Sequence, residues 1–177
     1  SVSSHELQHL LNAGNRVIKQ NGSFNDLETT WLSEALSHVA EEVIGLAAYD
    51  ASVRANLTFS ETAGSSTEIF NTYLISDFYN AGQFMLASDT AQALATNDPG
   101  GVASLQMRGF GWLFLRWLAD QYAPSVSQDA VPNSGEESFI RDLAQADGGL
   151  STGIQNVEEV SGASFEDLLA YFGLVVA

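Results

Sequence analysis

The chain has 177 residues, a length that suits one domain with its own core. Six Lys and Arg against 22 Asp and Glu give a formal net charge of −16, so nucleic-acid phosphates and anionic lipid surfaces repel it and neither is an expected partner. With 45% hydrophobic residues the composition is globular rather than disordered, and the absence of Cys excludes disulfides, thiolate metal sites and a Cys nucleophile.

Ser1 to Glu6 contains neither a charged n-region nor an apolar h-region, so no signal peptide is expected within the chain. Asn21 and Asn56 begin Asn-x-Ser/Thr triplets, which matter only in a eukaryotic secreted protein. The first helix is expected from His5, capped by Ser3 or Ser4, with Leu7, Leu10, Leu11, Val17 and Ile18 at helical spacing and Gly22 as its end. Asn25 or Asp26 caps a second helix whose broad apolar face holds Trp31, Leu32, Leu36, Val39, Val43 and Leu46. Residues 47–66 are looser, with a weakly alternating stretch from Asn56 to Ser60. Ser66 caps a third helix running to about Leu86, and Asn97-Asp98-Pro99-Gly100-Gly101 is a strong break. The next helix, from about Leu105 to Tyr122, is apolar enough to be buried nearly all round, and Pro124 stops it. Within it, Phe110 to Ala119 is the longest apolar stretch, but Arg116 interrupts it and it falls far short of the ~20 residues of a membrane span. A polar loop from Ser125 to Ser134, a short helix over 136–146 and an amphipathic helix over 164–175 capped by Ser164 complete a mainly α chain.

His5-Glu6-Leu7-Gln8-His9 is the most informative segment. Residues four apart on a helix point the same way, so the two imidazoles can hold one cation together, and zinc favours such neutral nitrogens. Glu6 is placed to take the proton of a water that the metal has acidified. A catalytic zinc needs three protein ligands and a water. Glu34, 25 residues beyond His9 on the next helix, is brought opposite the histidine pair by a turn at Gly22. His38 and Glu41 follow Glu34 by four and seven residues and share its face, so either can stand behind the ligands, with Glu41 the candidate acceptor for a histidine N–H. An oxyanion formed in peptide hydrolysis needs a donor, and Tyr73, Tyr79 and Arg108 form the pool.

H-E-x-x-H followed by Trp31-Leu32-Ser33-Glu34-Ala35-Leu36 resembles the gluzincin metallopeptidases, most nearly the hyicolysin-like bacterial peptidases, whose W-L-N-E-G segment supplies the third zinc ligand. The present segment has Ser33 and Ala35 where Asn and Gly are usual. The stretch from Gly109 to Tyr122 resembles a downstream helix of those peptidases, with Phe110 where relatives often carry Tyr, and Gly162 to Leu169 is similar to their closing helix. The resemblance implies the helical, C-terminal part of a zincin-like fold, with Zn²⁺ on His5, His9 and Glu34 and Glu6 as general base. It also implies a peptide or protein substrate and an extracellular or cell-envelope location. Gluzincins place a β-sheet lobe ahead of the motif helix, and only four residues precede His5 here, so a longer parent polypeptide or a partner chain is expected to provide it. The contrasting expectation is a catalytically silent relative that keeps zinc as a structural staple in a binding domain.

Overall fold

The apolar segment 105–122 forms a helix at the centre of the core among the described residues. In this computed structural model residues 2–48, 70–86, 94–95, 105–122, 135–145 and 149–176 are described. They form α1 (Val2–Gly14, continued by a π-helical turn Asn15–Lys19), α2 (Thr30–Ala48), α3 (Ile75–Leu86, entered through a π-helical turn Phe70–Leu74) and α4 (Leu105–Tyr122). Then come α5 (Gly135–Gln145), α6 (Gly153–Ser161) and α7 (Phe165–Val176). Among the described residues every regular element is helical, as the sequence leads one to expect. The expected cap at Ser66, the break at 97–101, the stretch 56–60 and the loop 125–134 lie outside the described residues.

Helix α4 packs against α2, α3 and α5. From Gln106 to Ala119 none of its residues is exposed, and Met107, Phe114, Leu115 and Leu118 meet Trp31, Leu32, Leu36 and Val39 of α2 in one core. Phe165 and Phe172 of α7 close that core through edge contacts with Phe114, ring centroids 5.7 and 5.3 Å apart. Gly109 allows a close approach between α3 and α4. A Cβ there would lie 2.6 Å from the Asp77 carbonyl oxygen, so only glycine lets α4 and α3 touch backbone to backbone.

Three local expectations change. Ser3 and Ser4 do not cap α1, which begins at Val2 and takes both into its first turn. Asn25 and Asp26 do not cap α2. Ser23 caps a short 3₁₀ turn, Phe24–Asp26, and the Asp26 carboxylate accepts from the Ser23 backbone N–H at 2.7 Å, so the capping chemistry is spent before α2 begins at Thr30. Helix α6, for which the sequence carries no strong signal, starts at Gly153 with φ +57° and ends at Gly162 with φ +71°. By contrast, Ser164 caps α7 as expected, its hydroxyl accepting from the Asp167 N–H at 3.2 Å.

The larger departure is the orientation of α1. Its apolar residues face out: Leu10 is 70% exposed and Ile18 82%, with Leu7 and Leu11 also exposed. The inward stripe is polar, formed by His5, His9, Asn12 and Arg16, spaced four, three and four residues apart. Each inward group has a partner that offsets its desolvation. Asn12 donates to the Ala144 carbonyl of α5 at 2.9 Å. Arg16, wholly buried, donates to the carbonyls of Asp26 and Ser151 at 3.1 and 3.0 Å and pairs with the Glu28 carboxylate. Glu28 in turn accepts from the N–H groups of Thr29 and Gly153 and from the Asn156 amide. Breaking a buried pair strands its partner, so Arg16→Met is expected to cost about 3–5 kcal/mol of stability, read as a lower urea midpoint at constant slope. A variant within about 0.5 kcal/mol of the parent would show that the pair is dispensable.

Between α2 and α4, Glu42 accepts from Trp112 Nε1 at 2.8 Å and pairs with Arg116 Nε at 3.2 Å. Burial outweighs the Arg116 charge and raises the Glu42 carboxyl above its ordinary value of 4.5. A raised carboxyl binds its proton more tightly in the folded chain, so its contribution is greatest below pH 4.5 and is lost as pH rises through the folded value. Glu42→Gln removes this titration. In urea unfolding across a pH series, the stability of the parent relative to Glu42→Gln should fall as pH rises above about 4.5. A difference that stays flat would contradict it.

Candidate metal centre

The turn stapled by Arg16 and Glu28 sends α2 back along α1 in the opposite direction. His5, early in α1, therefore meets Glu34, His38 and Glu41, and His9, one turn later, meets Ser33, Glu34 and Ser37. All three histidines of the chain share this one place: the ring centroid of His5 is 4.9 Å from that of His9 and 5.0 Å from that of His38.

The Glu34 carboxylate sits against both motif histidines. His5 Nε2 is 3.3 Å from Glu34 Oε2, and His9 Nε2 is 3.8 Å from Glu34 Oε1. One ligand atom from each of His5, His9 and Glu34 lies within 4.8 Å of the others. Tetrahedral bonds of ~2.0–2.1 Å put neighbouring donors about 3.3 Å apart, so a small inward adjustment would let this trio share one cation. Glu34 Oε2 is buried, with the Arg108 guanidinium 3.0 Å and His5 Nε2 3.3 Å from it. Two imidazoles and a carboxylate are also the donor set that zinc takes in catalytic sites.

The second nitrogen of each motif histidine is engaged. Glu41 Oε1 lies 3.1 Å from His5 Nδ1, where it can accept that N–H and leave Nε2 unprotonated toward Glu34. Ser33 Oγ lies 2.9 Å from His9 Nδ1, and Ser37 Oγ, which donates to the Ser33 carbonyl, lies 3.3 Å from it. Burial lowers the His9 pKa, against the pull of Glu34, and so favours the neutral ring a metal needs.

The remaining residues named from sequence separate clearly. Glu6 is exposed, and its charge is felt at His9. Arg108, from α4, places Nη1 3.0 Å from Glu34 Oε2 and so reaches the centre. Tyr73 does not: its ring packs over Gly45, eleven residues along α2 from Glu34. Tyr79 is 66% exposed. His38 points its Nδ1 at Asp77 Oδ1 of α3, 2.9 Å away.

Sequence reasoning missed Ser33 and Asp77. Ser33 was legible only as a substitution within the Trp-Leu-x-Glu segment. Asp77 lies 39 residues beyond His38, on a helix whose packing no spacing rule gives. A groove of about 480 Å³ between α1, α2 and α5, lined in part by Leu11, Val39, Val43 and Ile140, includes none of the metal-facing side chains and is separate from the centre. Comparison with protein families, curated proteins and solved structures finds no significant match.

Proposed function

We propose that this chain carries the metal centre of a zinc-dependent peptidase of gluzincin type, with His5, His9 and Glu34 as ligands and Glu6 as general base. The observation that carries the reading is the convergence of two imidazole nitrogens and one carboxylate from two antiparallel helices, each imidazole held from behind by a polar partner. Bound zinc would supply Lewis-acid polarisation of the substrate carbonyl and acidify a water. Glu6, next to His5 on the solvent side, takes the proton of the attacking water and passes it to the leaving amine. Arg108 is the one named donor that reaches the centre, and it offers positive charge to the oxyanion. A β-sheet lobe, from the same polypeptide or a partner, would cover the exposed apolar face of α1 at Leu7, Leu10 and Leu11 and hold the substrate backbone in line.

The metal assignment has a direct test. Zinc titration against a competing chelator should show tight binding in the parent and a loss of about 10–100-fold in Ser33→Ala, which removes only an outer partner. Glu34→Ala, which removes a ligand, should lose more. Equal affinities in all three proteins would rule the site out.

Glu6 separates binding from turnover. Glu6→Gln should keep the parent's zinc content and lose at least ~10²-fold in chelator-sensitive casein hydrolysis. Hydrolysis at the parent rate would end its role as general base.

A second reading is supported by the placement of Tyr73 and Tyr79 away from the centre and by the ion pair of Arg108 with Glu34. In it the chain is a catalytically silent relative in which zinc staples α1 to α2. Loss of folding on chelation, with no hydrolysis in the zinc-loaded protein, favours that reading.

A further inference from the structure

Both nitrogens of His5 face carboxylates. Nε2 faces Glu34 and Nδ1 faces Glu41, at 3.3 and 3.1 Å. A further imidazole, His38, stands edge-on to the His5 ring with centroids 5.0 Å apart. One ligand atom from each of His5, His38 and Glu41 lies within 4.8 Å of the others, so the group repeats the two-imidazole, one-carboxylate set of the first centre.

The peptidase reading gives His38 and Asp77 nothing to do, yet their burial is costly. The Asp77 side chain is 1% exposed. His38 Nδ1 and Asp77 Oδ1 face each other at 2.9 Å, while His38 Nε2 and Asp77 Oδ2 are buried with no hydrogen-bond partner. Unsatisfied buried polar groups cost about 1–3 kcal/mol each and are retained where something else uses them. A carboxylate behind an imidazole is the arrangement that fixes the tautomer of a metal-bound histidine.

We propose that His5, His38 and Glu41 form a second site for a divalent cation of the zinc class, on the Nδ1 side of the His5 ring, with Asp77 holding His38 from behind. Asp77 accepts the His38 Nδ1 proton and leaves Nε2 for the cation. The site shares His5 with the centre proposed above, and it rests on that reading only for the order of filling. When both positions are filled, the His5 ring releases its remaining proton to solvent and stands between two positive charges. The second cation therefore binds more weakly than the first.

The experiment is a calorimetric zinc titration of the metal-free chain, with circular dichroism to confirm folding. The parent should take up about two equivalents in two phases, a tight one and a weaker one. His38→Gln and Asp77→Asn should weaken or remove the weaker phase and leave the tight one within about tenfold of the parent. Glu34→Gln should lose the tight phase and retain the weaker. A single equivalent that survives His38→Gln overturns this second site and leaves the first standing. A single equivalent lost in His38→Gln but retained in Glu34→Gln does the reverse. Failure of the parent to bind zinc at all overturns both.

Discussion

Arg16 has no solvent exposure, and its charge is matched inside the protein by Glu28. Neither group could be buried alone, because a desolvated ion without its partner costs several kcal/mol. Their pairing therefore forces three things together: the end of α1, the turn that leads into α2, and the N-terminus of α6 through Gly153 and Asn156. A pair of apolar residues of the same volume could serve stability as well or better. It would not fix direction, since apolar contacts slide where a guanidinium with several aligned acceptors does not. The register of α2 against α1 follows from this pair, and the position of Glu34 between His5 and His9 follows from the register.

The centre is a borrowed structure in the sense that no single helix could build it. Helix α1 contributes the two motif imidazoles and α2 the carboxylates and serines, while α3 and α4 bring Asp77 and Arg108 from the side. Gly109 makes the last step possible, because its missing side chain lets α4 lie against the α3 backbone at Asp77 itself. Arg108 is the residue next to it, so one close approach sets the place of both the buried carboxylate behind His38 and the cation beside Glu34. The electrostatic consequence is a balance. Glu34 and Glu41 attract a dication, and Arg108 opposes it while compensating the Glu34 charge when no cation is there.

How much of this could be read from the residues depends on how local each interaction is. The i, i+4 histidine pair and Glu34, His38 and Glu41 on one helix face need only helical geometry, so their convergence was legible once the two helices were taken as antiparallel. The burial of α4 was legible because composition alone excludes a solvated face. The inward face of α1 was not. Its leucines lie at helical spacing and invite a core, but periodicity says only that a helix has two faces, not which one turns inward. What decides is the cost of leaving Arg16, Asn12 and the histidines without the partners that α2, α5 and the loops supply, and those partners lie up to 135 residues away in sequence. The same distance hid Asp77 from any spacing argument. Tyr73 failed as a site residue for a steric reason: Gly45 leaves a gap on α2 that the ring fills.

The inversion of α1 has a consequence for how the centre behaves. Leu7, Leu10 and Leu11 are exposed on the same two turns that carry His5 and His9 inward. Burying a leucine fully is worth about 1.5–3 kcal/mol, so a surface that covered those residues would add several kcal/mol to the seating of the helix. None of that energy would fall on His5 and His9 directly, because they lie on the opposite face. It would act by restricting the fraying and tilting of α1, whose inner contacts are single polar bonds rather than packed side chains. Polar bonds fix position only where both partners are already held. The face of α1 turned away from the histidines thus bears on how rigidly they are presented to Glu34, because cover on that face would hold the helix without touching the histidines.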